Sequence, residues 1–93
     1  MTIESIKKYY GFAKKSGSVA VGTDKIACAK NVYLIIVSSN LAENAQKRLQ
    51  RKAERNACEI VIFKDDEFRI FEPNESILAV GIKNAELVKA MQK

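Results

Sequence analysis

The chain of 93 residues contains no histidine, no tryptophan, one proline and two cysteines. Without histidine, acid–base catalysis near neutral pH lacks the side chain whose ordinary pKa suits it, and the commonest zinc ligand is missing. Cys28 and Cys58 are far apart and neither belongs to a Cys-x-x-Cys pair, so they are expected to be reduced and buried, which sets aside the disulfide-stapled secreted class. The longest apolar run, Val32 to Val37, is too short to span a bilayer. The N-terminus has no basic and then apolar leader pattern, so the expected compartment is the cytoplasm, with no membrane partner. No glycine-rich phosphate loop of either common type is present. Ser38-Ser39-Asn40 lacks the flanking glycines of a nucleophile elbow, and Asp65-Asp66 fits a solvated helix start better than a metal site. These absences predict a protein that is not an enzyme, with no catalytic residue, no metal and no small-molecule cofactor.

What is present fits one globular domain over residues 1–93, with 47% apolar and 29% charged residues. The net charge of +5 is unevenly spread. Residues 1–58 hold eleven bases against four acids, whereas residues 59–78 hold six acids against Lys64 and Arg69. A basic face built from the first two-thirds would attract an acidic polymer.

Helical and strand periods alternate without a linker, a repeat or a low-complexity segment. Ile3, Ile6, Tyr10 and Ala13 recur at helical spacing, and Gly17 ends that helix. Ser18 to Val21 makes a short strand, and Thr23 is the expected N-cap of a helix running to about Asn31. Tyr33 to Val37 lacks polar alternation and predicts a strand covered on both faces, with Leu34 and Ile36 on one side and Ile35 and Val37 on the other. Asn40 with Glu43 suggests a capping box opening a long helix. Ala42, Ala45, Leu49 and Ala53 form its inward stripe, and Lys47, Arg48, Arg51, Lys52 and Arg55 its outward face. Glu59 to Phe63 predicts a strand, Asp65 to Phe71 a helix and Ile77 to Ile82 another strand, and Asn84 caps a last helix with Leu87, Val88 and Met91 inward. The order predicts a three-layer α/β/α sandwich around a small mixed sheet of about four strands.

Gly22-Thr23 places a helix start among lysines, an arrangement suited to phosphate. The candidates for that contact are Lys14, Lys15, Gly22, Thr23 and Lys25. An interaction module using the acidic stretch, with a protein as partner, is the alternative.

Several segments carry a family likeness: Tyr10-Gly11-Phe12-Ala13-Lys14-Lys15-Ser16-Gly17, Val21-Gly22-Thr23, Tyr33 to Asn40, and Ile77 to Ile82 followed by Leu87. With their order and spacing, the chain resembles the kink-turn RNA-binding ribosomal proteins, the archaeal and eukaryotic large-subunit proteins seven-Ae and thirty-e and their bacterial YlxQ-like relatives. The resemblance covers nearly the whole chain. It implies an α/β/α sandwich that binds structured RNA, ribosomal RNA included, without catalysis. It further implies base and phosphate contacts after Gly-Thr, at positions held here by Asp24, Lys25 and Cys28, which makes Lys14, Lys15, Gly22, Thr23, Asp24, Lys25 and Lys30 the candidate RNA-binding residues, and a second contact in the loop before the last strand, here Glu72-Pro73-Asn74-Glu75. The family pattern has an amide, a carboxylate or amide, and a lysine at the first three positions, so this chain departs from it there. Two carboxylates in the second loop are expected to repel phosphate.

Overall fold

The computed structural model describes residues 2–92. Nine elements follow in order: α1 (Ile3–Lys15), β1 (Val19–Val21), α2 (Thr23–Cys28), β2 (Leu34–Ser38), α3 (Glu43–Asn56), β3 (Glu59–Phe63), α4 (Asp65–Phe71), β4 (Ala79–Ile82) and α5 (Ala85–Met91). The strands form one mixed sheet in the order β1-β4-β2-β3. β2 and β3 run parallel, as the α3 crossover requires, and β4 is antiparallel to both β1 and β2. Helices α1, α4 and α5 cover one face, and α2 and α3 the other.

β2 carries the design. Leu34 and Ile36 enter the first core and Ile35 and Val37 the second, all without exposed surface, as the unbroken apolar run predicts. The two cores differ in build. The α1 side holds every buried aromatic ring, with Tyr10 edge-on to Phe71 at 5.2 Å and Phe68 at 4.8 Å from Phe71. The α2/α3 side is built of Ala20, Ala53, Ala79 and branched aliphatics, so its helices lie close to the sheet. At Gly81 there is little room for a side chain, since a Cβ there would stand 3.2 Å from Ile26 and 3.3 Å from Val32.

Helix ends follow their caps. The Thr2 hydroxyl accepts from the Ser5 N–H at the start of α1, and Gly17, at φ +71°, follows its end. Asn84 Oδ1 accepts from the N–H groups of Glu86 and Leu87 and opens α5 as expected. Asn40 does not cap α3. The Ser38 hydroxyl takes the Asn40 N–H at 3.1 Å, holding residues 38–41 in a turn, so α3 begins later, at Glu43, with Ala42 as its uncapped and exposed N-cap. The strands at Ser18, Tyr33 and Ile77 also start one or two residues later than their apolar runs, because the sheet ladder begins only where a neighbour is present.

Candidate nucleic-acid interface

Gly22 joins β1 to α2. Its N–H donates to the Ala79 carbonyl at 3.0 Å, and its own carbonyl accepts from the Ile26 N–H at 3.1 Å, so one residue ends the ladder and starts the helix. That geometry needs φ +93° and ψ 154°, a region essentially confined to glycine. Gly22→Ala is expected to cost about 1–3 kcal/mol of stability, read as a lower urea midpoint at unchanged m-value. Gly22 is therefore the N-cap, and Thr23, the expected cap, is the first helical residue with no side-chain capping bond. α2 stops at Cys28, short of Asn31, because Ala29 turns extended at ψ 140°. A helix of six residues sums few peptide dipoles, so its N-terminus contributes little field, and any attraction for phosphate rests on side chains.

Those side chains lie on α2 and α3 together. Asp24 accepts from Arg48 at 2.5 Å, bridging the two helices at the surface. From the other end, the Lys52 ammonium donates to the Ala29 carbonyl that caps α2, and the Asn56 amide donates to the Lys30 carbonyl at 3.1 Å. Lys52 is thus buried and leaves the outward basic face to which helical spacing assigns it. Arg48, Arg51, Glu54 and Arg55 line a shallow hollow on the outside of α3. Lys25, Lys30, Arg51 and Arg55 have no ion-pair partner among the described residues.

Net charge divides unequally between the two helical layers. α2 with Lys30 holds two bases and one acid, and α3 five bases and two acids, for +4. On the opposite layer α1 holds four bases and one acid, α4 with Glu72 one base and four acids, and α5 one of each, for zero. Nearly all of the net +5 therefore belongs to the α2/α3 side. Gly22, Thr23, Asp24, Lys25 and Lys30 lie together there, whereas Lys14 and Lys15, at the end of α1, lie on the other layer and do not join them.

Lys14 has a separate task. Its ammonium stands 3.0 Å from Glu72 Oε1, which also accepts from the Tyr10 hydroxyl at 2.6 Å, while Glu72 Oε2 accepts from the Asn74 N–H at 3.2 Å. Glu72 is only 2% exposed, so it does not present the repelling charge expected of that loop. Burial would raise its carboxyl, but the bonds from Tyr10, Lys14 and Asn74 and the Lys14 charge outweigh it and hold the pKa below the ordinary carboxylate value. Burial first, then the bond and charge of Glu72, push the Tyr10 phenol far above its usual range. Arg69 fixes the same loop by donating to the carbonyls of Glu72, Asn74 and Ile77.

Asp65 is also consumed internally, accepting from the Ser38 hydroxyl at 2.6 Å and pairing with Arg69 at 3.1 Å, and these bonds hold its carboxyl low. Asp66 Oδ1 accepts from the Glu67 N–H at 3.0 Å. No group of three or more potential metal ligands occurs among the described residues. Cys58 is half-buried, with its thiol raised by burial against the opposing Lys52 charge, but Cys28 is exposed at the end of α2, contrary to the buried role expected of both.

The fold and this surface define a small α/β/α domain with one basic layer. No family model matches the chain, and no curated protein matches it. It is similar to a solved structure of a protein of unknown function from Bacillus halodurans, at 16% identity and a TM-score of 0.75, over 99% of this chain and 100% of that one. At that identity the likeness is one of fold. No helix among the described residues is long and apolar enough to cross a membrane.

Proposed function

We propose that the chain is a non-catalytic RNA-binding domain that holds structured RNA, a kink-turn or a related motif, against the α2/α3 layer. The observation that carries the reading is the concentration of nearly all net positive charge on that layer, where Lys25, Lys30, Arg51 and Arg55 have no ion-pair partner among the described residues. Lys25 and Lys30 supply one end of the contact, and Lys47, Arg48, Arg51 and Arg55 the other. Arginine's planar fork suits paired phosphate oxygens, and the α3 hollow offers three such forks around one space. Ribosomal RNA is a candidate partner. The protein-docking alternative loses ground because two of the five carboxylates in residues 65–75, Asp65 and Glu72, are spent on internal bonds.

A salt titration of binding to a structured RNA tests the reading. If about four of these bases neutralise phosphates, the log–log slope is about −3, from about −0.7 per contact on single strands and steeper on duplex segments. An affinity that does not change between low and physiological salt overturns it.

A further inference from the structure

α1 carries a surface feature that neither its own packing nor the basic layer explains. Gly11 lies in the interior of the helix, where glycine is a poor choice, and a Cβ built on it meets nothing within 4 Å. No turn, positive φ or close internal approach requires it. Beside it Phe12 is 67% exposed, the most exposed large apolar side chain among the described residues. Lys8, Gly11, Phe12 and Lys15 line one shallow hollow. Their spacing of three, four and seven residues places all four on one stripe of the helix, facing away from the core occupied by Ile6, Tyr10 and Ala13.

We propose that this stripe is a second contact surface, which takes one unpaired base of a single-stranded nucleic-acid segment. Phe12 supplies a π-face for stacking. Gly11 leaves room for the base or ribose against the helix backbone, the use to which a side-chain-free position is suited. Lys8 and Lys15, about 10 Å apart along the axis at 1.5 Å per residue, flank the ring and meet phosphates on either side. A membrane would need several apolar side chains on this face, and the stripe has one. A protein interface would need an apolar centre, where this single aromatic shares its hollow with two lysines and a glycine. The surface shares the ligand class of the reading above but none of its residues, and it lies on the opposite side of the sheet.

The test is an amide NMR titration with an oligouridylate of about six nucleotides, too short and simple to form a structured motif. The expected result is shifts over residues 8–15 and an affinity lowered about tenfold by Phe12→Ala, an exposed site where the fold is unaffected. Lys8→Gln with Lys15→Gln flattens the salt slope by about 1.4. Gly11→Ala separates binding from folding, since it raises the melting temperature while lowering affinity. The α1 shifts persist in a protein carrying Arg51→Glu and Arg55→Glu, so loss of structured-RNA binding there and loss of the α1 contact are read independently. Shifts confined to α3, an unchanged affinity in Phe12→Ala, or equal α1 shifts with a polyglutamate peptide or with anionic vesicles would overturn the proposal.

Discussion

Reversing two charges on α3, Arg51→Glu with Arg55→Glu, is expected to weaken structured-RNA binding about a hundredfold or more. Each lost contact to a charged group is worth about 1.5–3 kcal/mol, or at least about tenfold, and the introduced carboxylates add repulsion. Both side chains are exposed and without ion-pair partners, so stability should stay within about 0.5 kcal/mol of the parent. The informative control is Lys83→Glu with Lys89→Glu, which changes net charge equally but lies outside the α2/α3 layer. If attraction followed net charge alone, both pairs would lose affinity equally. Binding through the basic layer predicts that the α3 pair loses far more, as read by fluorescence anisotropy at fixed salt. Equal losses would sink the assignment of a face.

The second large effect concerns Glu72. Glu72→Ala removes the acceptor for the buried Tyr10 hydroxyl and for Lys14, and also the side-chain bond to the Asn74 N–H. Lys14 is half in water and can return to it, so the stranded Tyr10 hydroxyl and the vacated space dominate, at about 2–4 kcal/mol. That is a large part of the stability of a small domain. Glu72→Gln keeps the shape and isolates the charge. Because the folded Glu72 carboxyl lies below its unfolded value, its contribution is complete above the unfolded pKa and is lost as pH falls through the folded one. The gap in unfolding free energy between wild type and Glu72→Gln should therefore be full at about pH 7 and narrow towards about pH 3. On the alkaline side the raised Tyr10 pKa works in the opposite sense, and stability falls as pH climbs above the ordinary phenol value. Urea unfolding at a series of pH values checks both limbs, and a gap that stays constant across the acid range contradicts the assignment.

Features carried by local pattern are legible in the sequence. The two-sided burial of β2 follows from Leu34 to Val37 alone, and the Asn84 cap and the end of α1 before Gly17 follow from side-chain chemistry within three residues. Features that depend on distant partners are not. On a helical wheel Lys52 falls among Arg48, Arg51 and Arg55, and only the Ala29 carbonyl, 23 residues away, draws it inward. In sequence Glu72 is an ordinary loop acid, and only Tyr10 and Lys14, 62 and 58 residues distant, enclose it. Asn40 matches a capping box, yet the Ser38 hydroxyl competes for its N–H and wins. Among the site residues, Gly22 to Lys25 are neighbours in sequence and stay together, while Lys14 and Lys15 are assigned to the same patch by sequence proximity and separated from it by the sheet. The α3 contribution was visible as a row of bases, but its place beside α2 depends on the Asp24–Arg48 and Lys52–Ala29 contacts.

The position of β4 also sets the order in which the molecule can assemble. It is the last strand made and the only one that touches both β1 and β2. A nascent chain that has emerged only as far as the acidic loop can close the local β2-α3-β3 crossover, but its first strand still has no partner and α1 has no finished floor. Closure of the sheet therefore waits on residues 79–82, and with it the joining of the N-terminal third to the rest. Without β4, Val19 to Val21 and one edge of β2 both lack their ladder partner, and unpaired strand edges of this kind are the surfaces that pair with another chain.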